Sequence, residues 1–358
     1  QGHFIDGLLN PMYKDNSVLL FNIWKYFRGI TAPTFFTVAG FIFMYLLIKQ
    51  DTHIGWKNPR VQKGIKRGVM LIGIGYLLRL NFSGLFIGEI YESFYQIDVL
   101  HCIGVAILLL TFIYLLSHSR KKYLMPALLL SIGMLIFLSE PYYAHLRFST
   151  LPKMLANYFT KANGSIFTLL PWFGYAAFGA FAALGFHNYK THKHLYRYAI
   201  GIGLLGGFIL IYLSSPFFWK LYQLFEIPLA LRLVENNYLF IRLGNVLVLF
   251  AVFMSLRNVI TSKTIRIIGQ RTLSIYVIHF IILYGSFTTL GLYPFFKHTL
   301  NPYMAISGAL VFISIVTYIS FTYHTIKPTI PEKTKQIPMV LHRIKAKLTV
   351  LFRMVKNQ

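Results

Sequence analysis

Three pairs of residues at i, i+3 spacing could move protons: His3 with Asp6, Asp98 with His101, and Tyr276 with His279. On a helix this spacing puts both side chains on one face. An imidazole takes a proton near neutral pH, and a carboxylate one turn away orients the ring and stabilises its charged form. His3 and Asp6 are read in those roles. Arg28, Arg79, Asp98 and Arg242 are read as groups that bind an anionic or polar part of a substrate. Arg79 and Arg242 would equally snorkel to a membrane interface, and Asp98 would equally cap a helix. An ion pair of Asp98 with Arg79 or Arg242 would hold both charges across helices. Tyr276 and His279 suit either a helix–helix hydrogen bond or contact with the reaction centre.

Other chemistries lack their residues. Cys102 is the single cysteine, so no intramolecular disulfide and no thiolate metal cluster can form. The chain has no H-E-x-x-H or other metal-ligand spacing, no P-loop, no dinucleotide fingerprint and no G-x-S-x-G elbow. No metal is expected.

Membrane helices must position these groups. Hydrophobic residues make up 56% of the chain and charged residues only 13%, far from a soluble domain. Nine apolar stretches approach the ~20 residues that cross a bilayer: 31–48, 64–80, 98–117, 123–139, 165–186, 196–214, 239–256, 272–290 and 303–323. The fold class expected is all-α, a polytopic integral membrane bundle. Basic residues mark alternate connections: Lys49 to Arg67, Arg120 to Lys122, Lys190 to Arg197 and Arg257 to Arg271. Most of the acids lie on the others, including Asp6, Glu89, Glu140 and Glu235. The positive-inside rule then places the basic connections and the C-terminus in the cytoplasm and residues 1–30 outside. An outside start calls for one more helix before Gln1, giving about ten spans in the parent protein.

Residues 1–323 read as one membrane domain and 324–358 as a basic amphipathic tail on the cytoplasmic leaflet. The net charge of +25 is spread over cytoplasmic connections and that tail, where anionic lipid accounts for it and nucleic acid is not expected. Pro33 reads as a first-turn proline, and Ala39 and Gly40 as small residues that hold the helix bearing His3 against the following span. Outer connections 140–164 and 215–238 carry aromatic residues, among them Tyr142, Tyr143, Trp219 and Tyr222, that suit sugar stacking or an interfacial belt.

Taken in order, these motifs resemble a known family. A histidine ends the first helix; Arg28-Gly29-Ile30-Thr31-Ala32-Pro33-Thr34-Phe35-Phe36 with Gly40 opens the next. Lys66-Arg67-Gly68, Gly75-Tyr76-Leu77-Leu78-Arg79, Asp98-Val99-Leu100-His101 and Gly269-x-x-Thr272-Leu273-Ser274-Ile275-Tyr276-x-x-His279 follow. The chain resembles the transmembrane acyltransferase superfamily, in particular bacterial relatives of heparan-α-glucosaminide N-acetyltransferase, with the membrane O-acetylases as cousins. One departure is that residues 7–27 contain no histidine, where the heparan branch carries one before its second helix.

The resemblance implies an enzyme of the bacterial inner membrane that takes an acyl group, usually acetyl, from cytoplasmic acyl-CoA. The group passes to a hydroxyl or amine of an extracytoplasmic glycan, glycolipid or related acceptor. It maps the essential histidine onto His3 and the CoA phosphate contacts onto Arg60, Lys63, Lys66 and Arg67. Direct transfer with His3 as base and an acyl-histidine route both stay open, and His279, Tyr276 or Arg28 could face the tetrahedral oxygen. Membrane lipids are the expected partners, and a homodimer is left open. The rival reading is a transporter or flippase for a lipid-linked or acidic molecule, with Asp98, Arg79, Arg242 and His279 along its pathway.

Overall fold

The computed structural model describes residues 2–49 and 53–326. All regular structure among them is helical. The main elements are α1 (Gly2–Leu8), α2 (Leu19–Ile48), α3 (Pro59–Arg79), α4 (Val99–Ser117), α5 (Leu124–Leu138), α6 (Leu169–Asn188) and α7 (Leu195–Phe225, with a π turn inside). They continue with α8 (Tyr238–Ser255), α9 (Lys263–Gln270), α10 (Thr272–Tyr284) and α11 (Pro302–Ile326). Each of the nine apolar stretches is occupied by a helix. Among the described residues, six helices (α2, α4, α6, α7, α8 and α11) are long and apolar enough to cross a membrane. A seventh span results if α9 and α10, bent by 64°, are taken as one. Helix α5 is shorter, and the first turns of α3 carry four cations. The proposed tail lies outside the described residues, except for its first three.

Close backbone contacts set the packing. A Cβ added to Gly40 would stand 2.0 Å from the Ala176 carbonyl oxygen, and one on Gly179 would stand 1.9 Å from that of Thr37. Helices α2 and α6 therefore meet where neither carries a side chain. Gly68 faces Gly104 between α3 and α4, and Gly207 faces Gly244 between α7 and α8. The close approach expected at Gly40 is present, but the neighbour is α6 and not the helix bearing His3. A second correction concerns Pro33, which lies well inside α2 because the helix already starts at Leu19. A proline there leaves the Gly29 carbonyl without its helical donor.

Asn58 ties the ends of α2, α3 and α4 together. It is fully buried, caps α3 through the Arg60 N–H at 2.9 Å and donates to the Leu47 carbonyl at 3.1 Å and to Tyr114 Oη at 3.3 Å.

Two apolar clusters result. The large one spans α2 to α8; the small one joins Phe4 and Leu8 of α1, Leu283 of α10, and Ala309, Phe312 and Val316 of α11. Helix α10 belongs to both. Leu273, Tyr276, Val277, Phe280 and Ile281 face the large cluster, whereas Ile275, Ile278 and Ile282 face the small one.

Candidate functional site

The polar groups singled out above gather where these two clusters meet. Helix α1 is fixed to the small unit through its backbone: His298 N–H donates to the Gly7 carbonyl at 3.1 Å, and Leu300 N–H to that of Leu8 at 2.9 Å. This places the His3 ring over His279 of α10, stacked with centroids 5.5 Å apart. Tyr276 meets the same His279 ring edge-on at 4.8 Å. Its hydroxyl crosses to the large unit and donates to Asp98 Oδ1 at 2.5 Å. His3, Asp98, Tyr276 and His279 thus form one continuous cluster, assembled from three separate parts of the chain.

Asp98 does several things at once. It is the N-cap of α4, with His101 Nδ1 accepting from the Asp98 N–H at 3.1 Å to complete a capping box. Its other oxygen lies 3.7 Å from Arg79, the ion pair expected from the sequence. Arg79 also donates to the Ser93 carbonyl at 3.0 Å and Gln96 Oε1 at 3.2 Å, and sits 5.9 Å from the Phe280 ring centre. His101 is fully buried and fits only because residue 75 is glycine: a Cβ there would stand 2.6 Å from the ring. The histidine of the Asp98 pair serves the helix cap, and the carboxylate reaches the site.

The His3 pair is arranged differently from its expected form. Asp6 is ion-paired with Arg28 of α2, and the hydrogen bond to the His3 ring comes from Tyr284, whose hydroxyl lies 3.3 Å from Nδ1. Tyr284 is the residue that sequence spacing missed. It is five positions after His279, so no i+3 or i+4 rule connects them, and only docking of α1 brings it to His3. Burial lowers the His3 pKa below its ordinary 6.5, with the Asp98 charge opposing that shift. Burial raises the Asp6 pKa, with Arg28 the main opposing influence.

His279 was expected near mid-membrane. It lies one and a half turns from the outer end of α10, because Gly285 at φ 69° stops the helix at Tyr284 rather than near residue 290. Arg242 is not part of this cluster. It stands over the Tyr238 ring at 5.0 Å and against Gly29, next in chain to Arg28. Arg60, Lys63, Lys66 and Arg67 occupy the first turns of α3, all exposed except the half-buried Arg60. Arg67 is twelve residues from Arg79, roughly 18 Å along the helix axis.

Residues 1–215 match the family described as heparan-alpha-glucosaminide N-acetyltransferase, catalytic. The chain belongs to this family. It is therefore an integral membrane protein of the acetyltransferase type, for which acetyl-CoA is the implied co-substrate. The heparan-acetyltransferase match holds His3, Asp6, Arg28, Arg79 and Asp98, while Tyr276, His279 and Tyr284 lie beyond it. No curated protein and no solved structure matches the chain. Among the described residues no group of histidine, cysteine and carboxylate side chains is placed to hold a metal ion.

Proposed function

We propose that this protein transfers an acyl group, acetyl in the simplest case, from cytoplasmic acyl-CoA to a hydroxyl or amine of an extracytoplasmic glycan, glycolipid or related acceptor. The observation that carries the proposal is the stack of His3 on His279 with Tyr276 and Asp98 behind it, in a chain of acetyltransferase descent. All nine helical stretches cross the inner membrane in this reading, with the Arg60–Arg67 turns inside and His3 outside.

His3 acts as the general base. With its ring proton on Nδ1 and donated to Tyr284 Oη, Nε2 keeps the lone pair that removes the acceptor's proton. The acceptor oxygen or nitrogen then attacks the thioester carbon. The carbon–sulfur bond breaks, and CoA leaves as a thiolate that is protonated by the imidazolium or by water. Asp6 and Asp98 favour the transient imidazolium. His279 is placed to donate to the tetrahedral oxygen. Arg60, Lys63, Lys66 and Arg67 have the charge that CoA phosphates require, and the span between them and His3 makes the carrier's extended arm the bridge.

The test is acyl transfer by the full-length protein in nanodiscs, using radiolabelled acetyl-CoA and native membrane lipid or glycan extract. Wild-type protein should label an acceptor, and His3→Ala should abolish labelling while keeping acetyl-CoA binding. Unchanged labelling by His3→Ala would remove the base from this mechanism. Failure to bind acetyl-CoA would favour a transport role for Asp98, Arg79, Arg242 and His279.

A further inference from the structure

A second polar cluster at the outer end has no part in the mechanism above. Glu140 opens a single helical turn, Glu140–Tyr143, just past α5, and is only 5% exposed. Its carboxylate accepts from Tyr238 Oη at 3.1 Å. The ion pairs found among the described residues involve other carboxylates, Asp6, Asp98 and Glu92. One neutral hydrogen bond offsets little of the cost of desolvating a carboxylate, so packing alone is a poor reason to keep it. Tyr143 is equally enclosed, and its hydroxyl has no hydrogen-bond partner within the protein. The indole N–H of Trp172 is in the same position, and its ring is 5.9 Å from that of Tyr175, which completes the group around Glu140 and Tyr143. Arg242 bounds it on the α8 side, over Tyr238.

The cluster adjoins the base. Arg242 touches Gly29, and the neighbouring Arg28 pairs with Asp6, one turn along α1 from His3. One turn of α2 therefore separates the two polar groups.

Resting on the acyltransferase reading, we propose that Glu140, Tyr143, Trp172, Tyr238 and Arg242 form a subsite that seats the acceptor as an uncharged, polyhydroxylated ring. The chemistry selects that class. Glu140 wants a donor and repels an anion; Arg242 and the nearby Lys161 want acceptors and repel a cation. Vicinal hydroxyls supply donors and acceptors together, and the ring's C–H face suits the aromatic side chains. The nucleophile delivered to His3 is then a hydroxyl, and the product an ester.

The test uses full-length protein in nanodiscs and three probes: methyl β-glucopyranoside, glucosamine and glucuronate, with binding read from tryptophan fluorescence. The uncharged glycoside should bind tightest. Glu140→Gln and Tyr238→Phe should each weaken it by about tenfold, the loss expected for a charge-assisted contact, and leave acetyl-CoA affinity unchanged. Tyr238→Phe removes one hydroxyl and keeps the proposal testable if Glu140→Gln does not fold. Tighter binding of either charged sugar, or variants that bind the glycoside as wild type does, would overturn the subsite. Acetyl-CoA turnover without glycoside binding would overturn the subsite alone. Glycoside binding without any acetyl-CoA binding would instead support the subsite and overturn the acyltransferase reading.

Discussion

Between α2 and α6 the backbones touch, and nothing polar is needed to hold them; between α10 and α4 the contact is a tyrosine hydroxyl on a carboxylate. The large unit is built on the first kind of contact, with glycines at its crossings and a continuous apolar core. The small unit of α1, α10 and α11 has its own modest core and meets the large one along a seam with much of its contact polar. That seam includes Tyr276 on Asp98, Arg28 on Asp6, Arg79 against Phe280, and a backbone exchange between residues 80–82 and Phe287. Buried polar groups are costly unless they are satisfied. Here they are concentrated where acid–base chemistry would use them, and the glycine crossings keep the rest of the bundle free of that cost.

The comparison breaks most severely through its glycines. Gly179→Leu drives a side chain into the Thr37 carbonyl, which is backbone and cannot rotate away. Gly308→Leu in the small unit meets only the tip of the Phe4 ring, 3.0 Å from an added Cβ. Gly179→Leu should yield no monodisperse protein in size-exclusion chromatography, and Gly308→Leu should yield folded protein with a lowered melting temperature. Equal behaviour of the two would mean that the units are not held differently.

Next in size is His3→Ala, a change confined to the seam. General-base catalysis is worth roughly 100- to 10,000-fold, so kcat should fall by about that factor with the melting temperature unchanged. Tyr276→Phe should do less to the rate and more to the fold, because it leaves the buried Asp98 with Arg79 as its main partner. A hydrogen bond to a charged group is worth about 1.5–3 kcal/mol, which predicts a loss of roughly 10- to 100-fold in kcat/KM. Neutralising Arg60, Lys63, Lys66 or Arg67 singly should raise the acetyl-CoA KM only a few-fold, since exposed pairs are worth about 0.2–1 kcal/mol. That rise should shrink with added salt, and kcat should stay constant.

Helical stretches were readable because hydropathy and charge are local properties. Asp98 with Arg79 was readable too, since two opposite charges near the same membrane face must find partners. Helix ends were less so: Gly285 ends α10 early by its backbone conformation, and α2 starts twelve residues before its apolar stretch. Contacts between distant segments left no local trace. Tyr284 reaches His3, and Glu140 meets Tyr238, only because the bundle closes. Spacing rules found the pairs on one helix and could not find those between helices.

The smallest effect is the most discriminating, because its sign differs on the two sides of the seam. Burial lowers the His3 pKa, so the neutral base persists below the ordinary imidazole value, and the acid limb of kcat/KM should lie below pH 6.5. Arg28 pushes the His3 pKa down and Asp98 pushes it up. Arg28→Gln removes a cation and frees Asp6 to act on the ring, so the acid limb should move to higher pH. Asp98→Asn removes an anion and should move it lower, on top of a reduced rate. Opposite displacements would tie the limb to His3, with one charge contributed by α2 and the other by α4. Displacements in the same direction, or none, would mean that some other group titrates and that His3 is not the base.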